Sequence, residues 1–170
     1  MSEFRLDAAA IIHPSEQKVG DLLAAFAEEL KAQGVMVRGV VQRNTPDPNG
    51  GHARMDLIDI ETGDIFPISQ RLGRAAGSCH LDQSGLTEAS AVLRRAHAER
   101  PALIIVNRFG EQEATGQGFA AEMLAIMADG IPLLTAVSEN WRKQWESFTG
   151  GGASLLPASL SAIRLWFDGR

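Results

Sequence analysis

LIIVNRFGEQEATGQGF, residues 103–119, decides how this chain is read. It opens on an apolar run at residues 103–106, breaks into polar, glycine-bearing sequence, and turns helical near Gly116. A buried strand feeding a loop and then a helix has this pattern, and in open α/β sheets ligands collect where strands end in such loops.

Working outward, Phe119, Met123, Ile126 and Met127 mark one face of a helix over residues 118–129, ended by Gly130. IPLLTAV, residues 131–137, reads as another buried strand. Ser138 is placed to cap a helix to Phe148 that turns Trp141, Trp145 and Phe148 to one side, as core rather than as a stacking platform. TGGGAS, residues 149–154, reads as a flexible loop, and Pro157 as the start of a last helix reaching Phe167. On the other side, Ser84 opens a helix to Arg100 with Leu86, Ala89, Val92, Leu93 and Ala96 as its apolar face, and Pro101 stops it. Residues 54–60 and 65–69 form a hairpin around Glu61-Thr62-Gly63-Asp64, and residues 79–82 a brief strand.

The chain begins with a strand at residues 8–12, a polar loop at 13–20 and a helix at 21–33. Leu22, Leu23, Phe26 and Leu30 give the helical spacing and Gly34 the stop. A valine-rich strand follows at residues 35–42, making a βαβ unit that calls for parallel pairing. RNTPDPNGGH, residues 43–52, is a loop. There is no repeat and no linker composition, so residues 1–170 read as a single three-layer α/β domain with a mainly parallel sheet and an antiparallel hairpin extension.

Composition narrows the function. A net charge of −5 argues against wholesale nucleic-acid binding. The single cysteine, Cys79, allows no intrachain disulfide. No apolar run approaches the ~20 residues of a membrane span, and the N-terminus lacks a signal-like apolar region. These features point to a cytoplasmic protein with a small-molecule partner. His13, His52, His80 and His97 lack zinc-type spacing, so no metal cluster is expected. SQRLGRAAGSCH, residues 69–80, carries two arginines, Cys79 and His80. Nothing in the sequence sets a base beside Cys79, and it reads as a small buried side chain rather than a nucleophile.

Several motifs together carry a resemblance. IIVNRFGEQE, residues 104–113, resembles the Walker B segment of a nucleoside-triphosphatase branch of P-loop proteins; MDLIDIETGDIFPIS and CHLDQSGL resemble that branch's hairpin and the passage following it. The NRFG-x-x-E-A-x-G-x-G-F pattern, with ISQRLG and CHLD upstream, is similar to an uncharacterised bacterial family of unknown function associated with molybdenum-transport gene neighbourhoods. The resemblance implies a P-loop NTPase-like fold over roughly the whole chain.

The departures from that pattern matter chemically. A P-loop needs G-x-x-x-x-G-K-[ST] to wrap, neutralise and metal-clamp a phosphate. Registered without gaps on Leu22, His13 takes the first glycine, Lys18 the second, Val19 the lysine and Gly20 the hydroxyl residue. In the Walker B segment Asn107 replaces the metal-supporting Asp and Arg108 the catalytic Glu, while Gly110 and Glu113 remain. Neither an amide nor a guanidinium supplies charge for Mg²⁺.

The expected site is therefore a crevice above the strand ends, formed by His13, Ser15, Lys18, Gly20, Arg43, Asn107, Arg108, Gly110, Glu113 and Ser138. Lys18, Arg108 and the N-terminus of the first helix favour an anion or a phosphorylated small molecule, an oxyanion such as molybdate included. Glu111 and Glu122 read as solvated. No catalytic residue and no cofactor is assigned, and a homo-oligomer is compatible with the sequence. The competing readings are a divergent nucleoside-triphosphate phosphatase using Lys18, Asn107 and Glu113, and an interaction module that kept only the fold.

Overall fold

The computed structural model describes residues 4–14, 16–70 and 80–170. Ser15 and residues 71–79, Cys79 among them, lie outside these. β1 (Ala8–His13) runs straight into α1 (Glu16–Ala32), and β2 (Val37–Thr45) continues into the antiparallel strands β3 (Arg54–Asp59) and β4 (Ile65–Pro67). A two-stranded ladder of β5 (Ser69–Gln70) and β6 (His80–Leu81) precedes α2 (Gln83–Glu99). Then come β7 (Leu103–Ile105), α3 (Glu111–Ala114), α4 (Ala120–Ala128) and β8 (Leu133–Ser138). A 3₁₀ turn, Glu139–Trp141, leads to α5 (Arg142–Thr149), β9 (Ser154–Leu156) and α6 (Leu160–Asp168).

The main sheet has the order β4-β3-β2-β7-β8-β1-β9. Its five strands from β2 to β9 are parallel, and β3 and β4 extend it antiparallel. Two cores sandwich it. Val19, Leu23, Phe26 and Leu30 of α1 and Ile163 of α6 pack with Ala9, Ile11, Val37, Ile105 and Leu134 on one face. On the other, Ala89 and Leu93 of α2, Met123 and Ile126 of α4 and Trp145 of α5 pack with Ala8, Ala10, Val40, Ile104 and Leu133. Strands buried on both faces read as unbroken apolar runs, which is why the sequence located them. Chain leaving β1 enters α1 on one face, and chain leaving its neighbour β8 enters α5 on the other. A crevice lies at the carboxyl edge, between α1 and the ends of β1, β2 and β7.

The structure corrects five local readings. α1 begins at Glu16 rather than Asp21, so most of the supposed loop 13–20 is helix. Asp82, not Ser84, caps α2; its carboxylate accepts from the Ser84 N–H at 2.9 Å. Glu111–Ala114, read as loop, is a short helix. Residues 154–156, within and after the supposed flexible loop, form edge strand β9 beside β1, and α6 starts at Leu160 with Ser159 as its cap. A three-residue edge strand has too few positions to show a period, so only its pairing reveals it.

Candidate functional site

Asn107 and Arg108 are projected by a bulge in the central strand. The Ile104 N–H donates to Pro132 and the Val106 N–H to Leu134, two residues advancing against two. The next ladder bond runs from the Phe109 N–H to Ala136, three residues against two. The extra residue breaks the pleat, and Phe109 re-joins β8 as an isolated bridge to Val137. Such bulges turn side chains out of a ladder, here toward the crevice.

The crevice has a volume of about 280 Å³ and is lined by His13, Val19, Gly20, Asp21, Gln42, Asn44, Pro46, Asn107 and Arg108. Its floor carries a relay of amides: Asn107 Nδ2 donates to Gln42 Oε1 at 3.1 Å, and Gln42 Nε2 donates to Asn44 Oδ1 at 2.9 Å. Asn107 is 6% exposed, and its Oδ1 has no hydrogen-bond partner among the described residues. α1 lies tight over this floor; a Cβ on Gly20 would stand 2.8 Å from the Gln42 carbonyl oxygen.

Behind the relay is a second, narrow cavity of about 50 Å³, lined by Gln42, Met55, Ile68, Leu86, Asn107, Arg108, Gln112, Glu113 and Phe119. Glu113 is 6% exposed there, and its Oε1 accepts from the Gly110 N–H at 3.1 Å, bridging back across the start of α3. Gly118, at φ 57°, leaves the room that Glu113 Oε2 occupies, where any Cβ would collide with it. Burial pushes the Glu113 carboxyl above the ordinary glutamate range. The Gly110 N–H, the Arg108 charge and the backbone at Phe119 pull it back only in part.

Of the residues expected at the site, His13, Gly20, Asn107 and Arg108 line the crevice, and Glu113 lies behind its floor. Gly110 caps α3 beneath Arg108. Lys18 is exposed in the first turn of α1, and Arg43 is exposed on β2 opposite Asp56; neither lines the crevice. Ser138 caps the 3₁₀ turn after β8, its Oγ accepting from the Asn140 N–H. Gln42, Asn44 and Asp21 were missed. Gln42 and Asn44 sit two apart on β2 and so share a face; strand alternation was the signal, overshadowed by the charge on Arg43.

The arrangement does not fit a magnesium nucleotide held in the P-loop manner. Residues 16–20 of the register that would wrap a phosphate are helical. Val19, in the lysine's register, is 5% exposed within the core of α1. Among the described residues no group of three or more His, Cys, Asp and Glu could hold a metal ion, and no helix is long and apolar enough to cross a membrane.

The layers and strand order are those of a P-loop NTPase-like α/β fold. The crystal structure of THEP1 from the hyperthermophile Aquifex aeolicus superimposes with a TM-score of 0.62 over 95% of this chain and 94% of that one, at 16% identity. Within that class, the chain belongs to the family described as Protein of unknown function (DUF2478), which matches residues 8–166. It is also 40% identical over 159 residues to the molybdenum import ATP-binding protein ModC 2 of Bradyrhizobium diazoefficiens. That match covers 94% of this chain but 18% of the relative.

Proposed function

We propose that this chain is a non-hydrolytic binding module for a small oxyanion or phosphorylated molecule, working in the service of molybdenum import. The observation that carries the reading is the exchange of parts around one crevice. Where a hydrolase needs a phosphate-wrapping loop, a lysine and paired acids, the chain has a helix with Val19 in its core, and Asn107 and Arg108 on a bulge. Arg108 offers a guanidinium fork, and reorienting the Asn107, Gln42 and Asn44 amides would offer further donors. Little remains to clamp Mg²⁺ or to stabilise a transferring phosphoryl group. The likeness to one segment of a longer import ATPase supports a role beside such a machine, the bound ligand being what the module senses or hands on.

Calorimetric titration with molybdate, sulfate, phosphate and Mg²⁺-ATP tests this directly. Saturable binding of an oxyanion is expected, with no Mg²⁺-dependent ATP or GTP turnover. Arg108→Ala should lose roughly 1.5–3 kcal/mol of affinity if its hydrogen bond to the ligand is charged and desolvated. Lys18→Ala should lose much less, because Lys18 is exposed and outside the crevice lining. Robust turnover that disappears in Asn107→Ala would instead favour a divergent phosphatase.

A further inference from the structure

Glu113 braces the start of α3 by accepting from the Gly110 N–H. It is buried behind a site proposed to receive anions, and Gln42, Asn107 and Arg108 form a wall common to both cavities. Arg108 therefore serves two customers: the Glu113 carboxylate on the inner side, whose charge it steadies, and whatever enters the crevice on the outer side. We infer that an anion entering the crevice is bound together with a proton, which Glu113 takes from solvent. This rests on the reading of the crevice as an anion site.

The physical chemistry is direct. A second negative charge beside Arg108 competes for the field that keeps Glu113 ionised, and two anions around one cation in a low-dielectric wall repel. Burial already disposes Glu113 to hold a proton. The neutral carboxyl then needs an acceptor for its O–H. The same cavity wall holds Asn107, whose buried Oδ1 has no hydrogen-bond partner among the described residues. Protonation thus relieves the repulsion, with the Asn107 Oδ1 in the same cavity wall as a candidate acceptor.

α4 and α5 pack against α3. On α4, Glu122 pairs with Arg94, and at its end Asp129 pairs with His97. On α5, Arg142 pairs with Glu146, and Lys143 faces an outer groove with Ala114. Glu111 of α3 is exposed. His13 and Asp21 are the other titratable groups of the crevice itself.

The test is calorimetry of the 170-residue chain with sulfate and with molybdate, in buffers of different ionisation heat near neutral pH. Net proton uptake on anion binding is expected, with affinity weakening by up to about tenfold per pH unit as pH rises. Glu113→Gln keeps the side-chain volume and an acceptor for the Gly110 N–H. It should bind the anion with no uptake and a flat pH profile. In the unsubstituted protein, carboxyl carbon NMR should show the Glu113 midpoint moving upward when the anion is added, so the outcome does not depend on the variant folding. Anion binding without proton uptake overturns the coupling and leaves the binding reading intact. Uptake that persists in Glu113→Gln assigns the proton to His13 or Asp21 and also overturns it. No anion binding at all overturns both.

Discussion

Rebuilding the missing phosphate loop should damage this protein rather than awaken it. The triple variant Lys18→Gly, Val19→Lys, Gly20→Ser writes G-K-S into the matching register. In the structure these positions are already committed to the first two turns of α1. Lys18 is exposed there, and glycine in a helix costs about 1 kcal/mol relative to a good helix former. Val19 is 5% exposed among Leu23, Phe26 and the sheet, so a lysine forfeits roughly 1.5–3 kcal/mol of burial and must desolvate or expel its ammonium. A side chain on Gly20 drives its Cβ to 2.8 Å from the Gln42 carbonyl oxygen, pushing α1 off β2; overpacking of this kind costs about 1–3 kcal/mol. The total is roughly 3.5–7 kcal/mol, less any relaxation shared between neighbours, against a typical stability of about 5–15 kcal/mol. With a urea dependence of about 2 kcal/mol/M, the midpoint should fall by roughly 2–3.5 M. Urea melts followed by circular dichroism, with phosphate release from Mg²⁺-ATP, measure both halves. A variant as stable as the parent and turning over ATP would show that the helical start of α1 is no barrier to a phosphate loop, and would refute the reasoning.

Two further expectations concern the frame around the site. Asp59, 1% exposed at the hairpin turn, accepts from the Glu61 N–H at 2.8 Å and from Arg95 Nη2 at 2.6 Å. Burial pushes its carboxyl up, but Arg95 and the N–H groups of Glu61 and Thr62 outweigh that and hold it below the ordinary aspartate range. A depressed carboxyl stabilises the fold above its unfolded pKa and loses that contribution as pH falls through the folded one. Arg95→Met should cost roughly 1–2 kcal/mol near neutral pH, since Arg95 is itself half exposed, and should flatten the acid limb of a thermal-melt series; an unchanged limb counts against the pairing. Gly85, in the first turn of α2, faces the Pro67 carbonyl so closely that any Cβ would collide with backbone. Gly85→Ala should therefore destabilise by about 1–3 kcal/mol despite alanine's better helix propensity, and a gain in melting temperature would contradict the packing.

The sequence by itself determined the layers. β7 and β8 are buried on both faces, so their runs of Leu, Ile and Val are written without interruption. The faces of α1, α2 and α4 repeat at helical spacing because each meets one core. Asn107 and Arg108 were legible for a related reason: polar residues placed directly after a buried strand have little to do except face a ligand or solvent. Tertiary structure alone decided the rest. The start of α1 depends on Val19 finding a core to enter, and β9 exists only because β1 leaves an edge to pair with. The bulge that aims Asn107 and Arg108 is a mismatch between two strands and is written in neither one. Gln42 and Asn44 became part of the site because β7 lies beside β2, and Glu113 became a buried acid because Gly118 leaves it space. Periodicity records how a segment meets the core; which side chains meet each other is a property of the packed chain, and the chemistry of this crevice lies there.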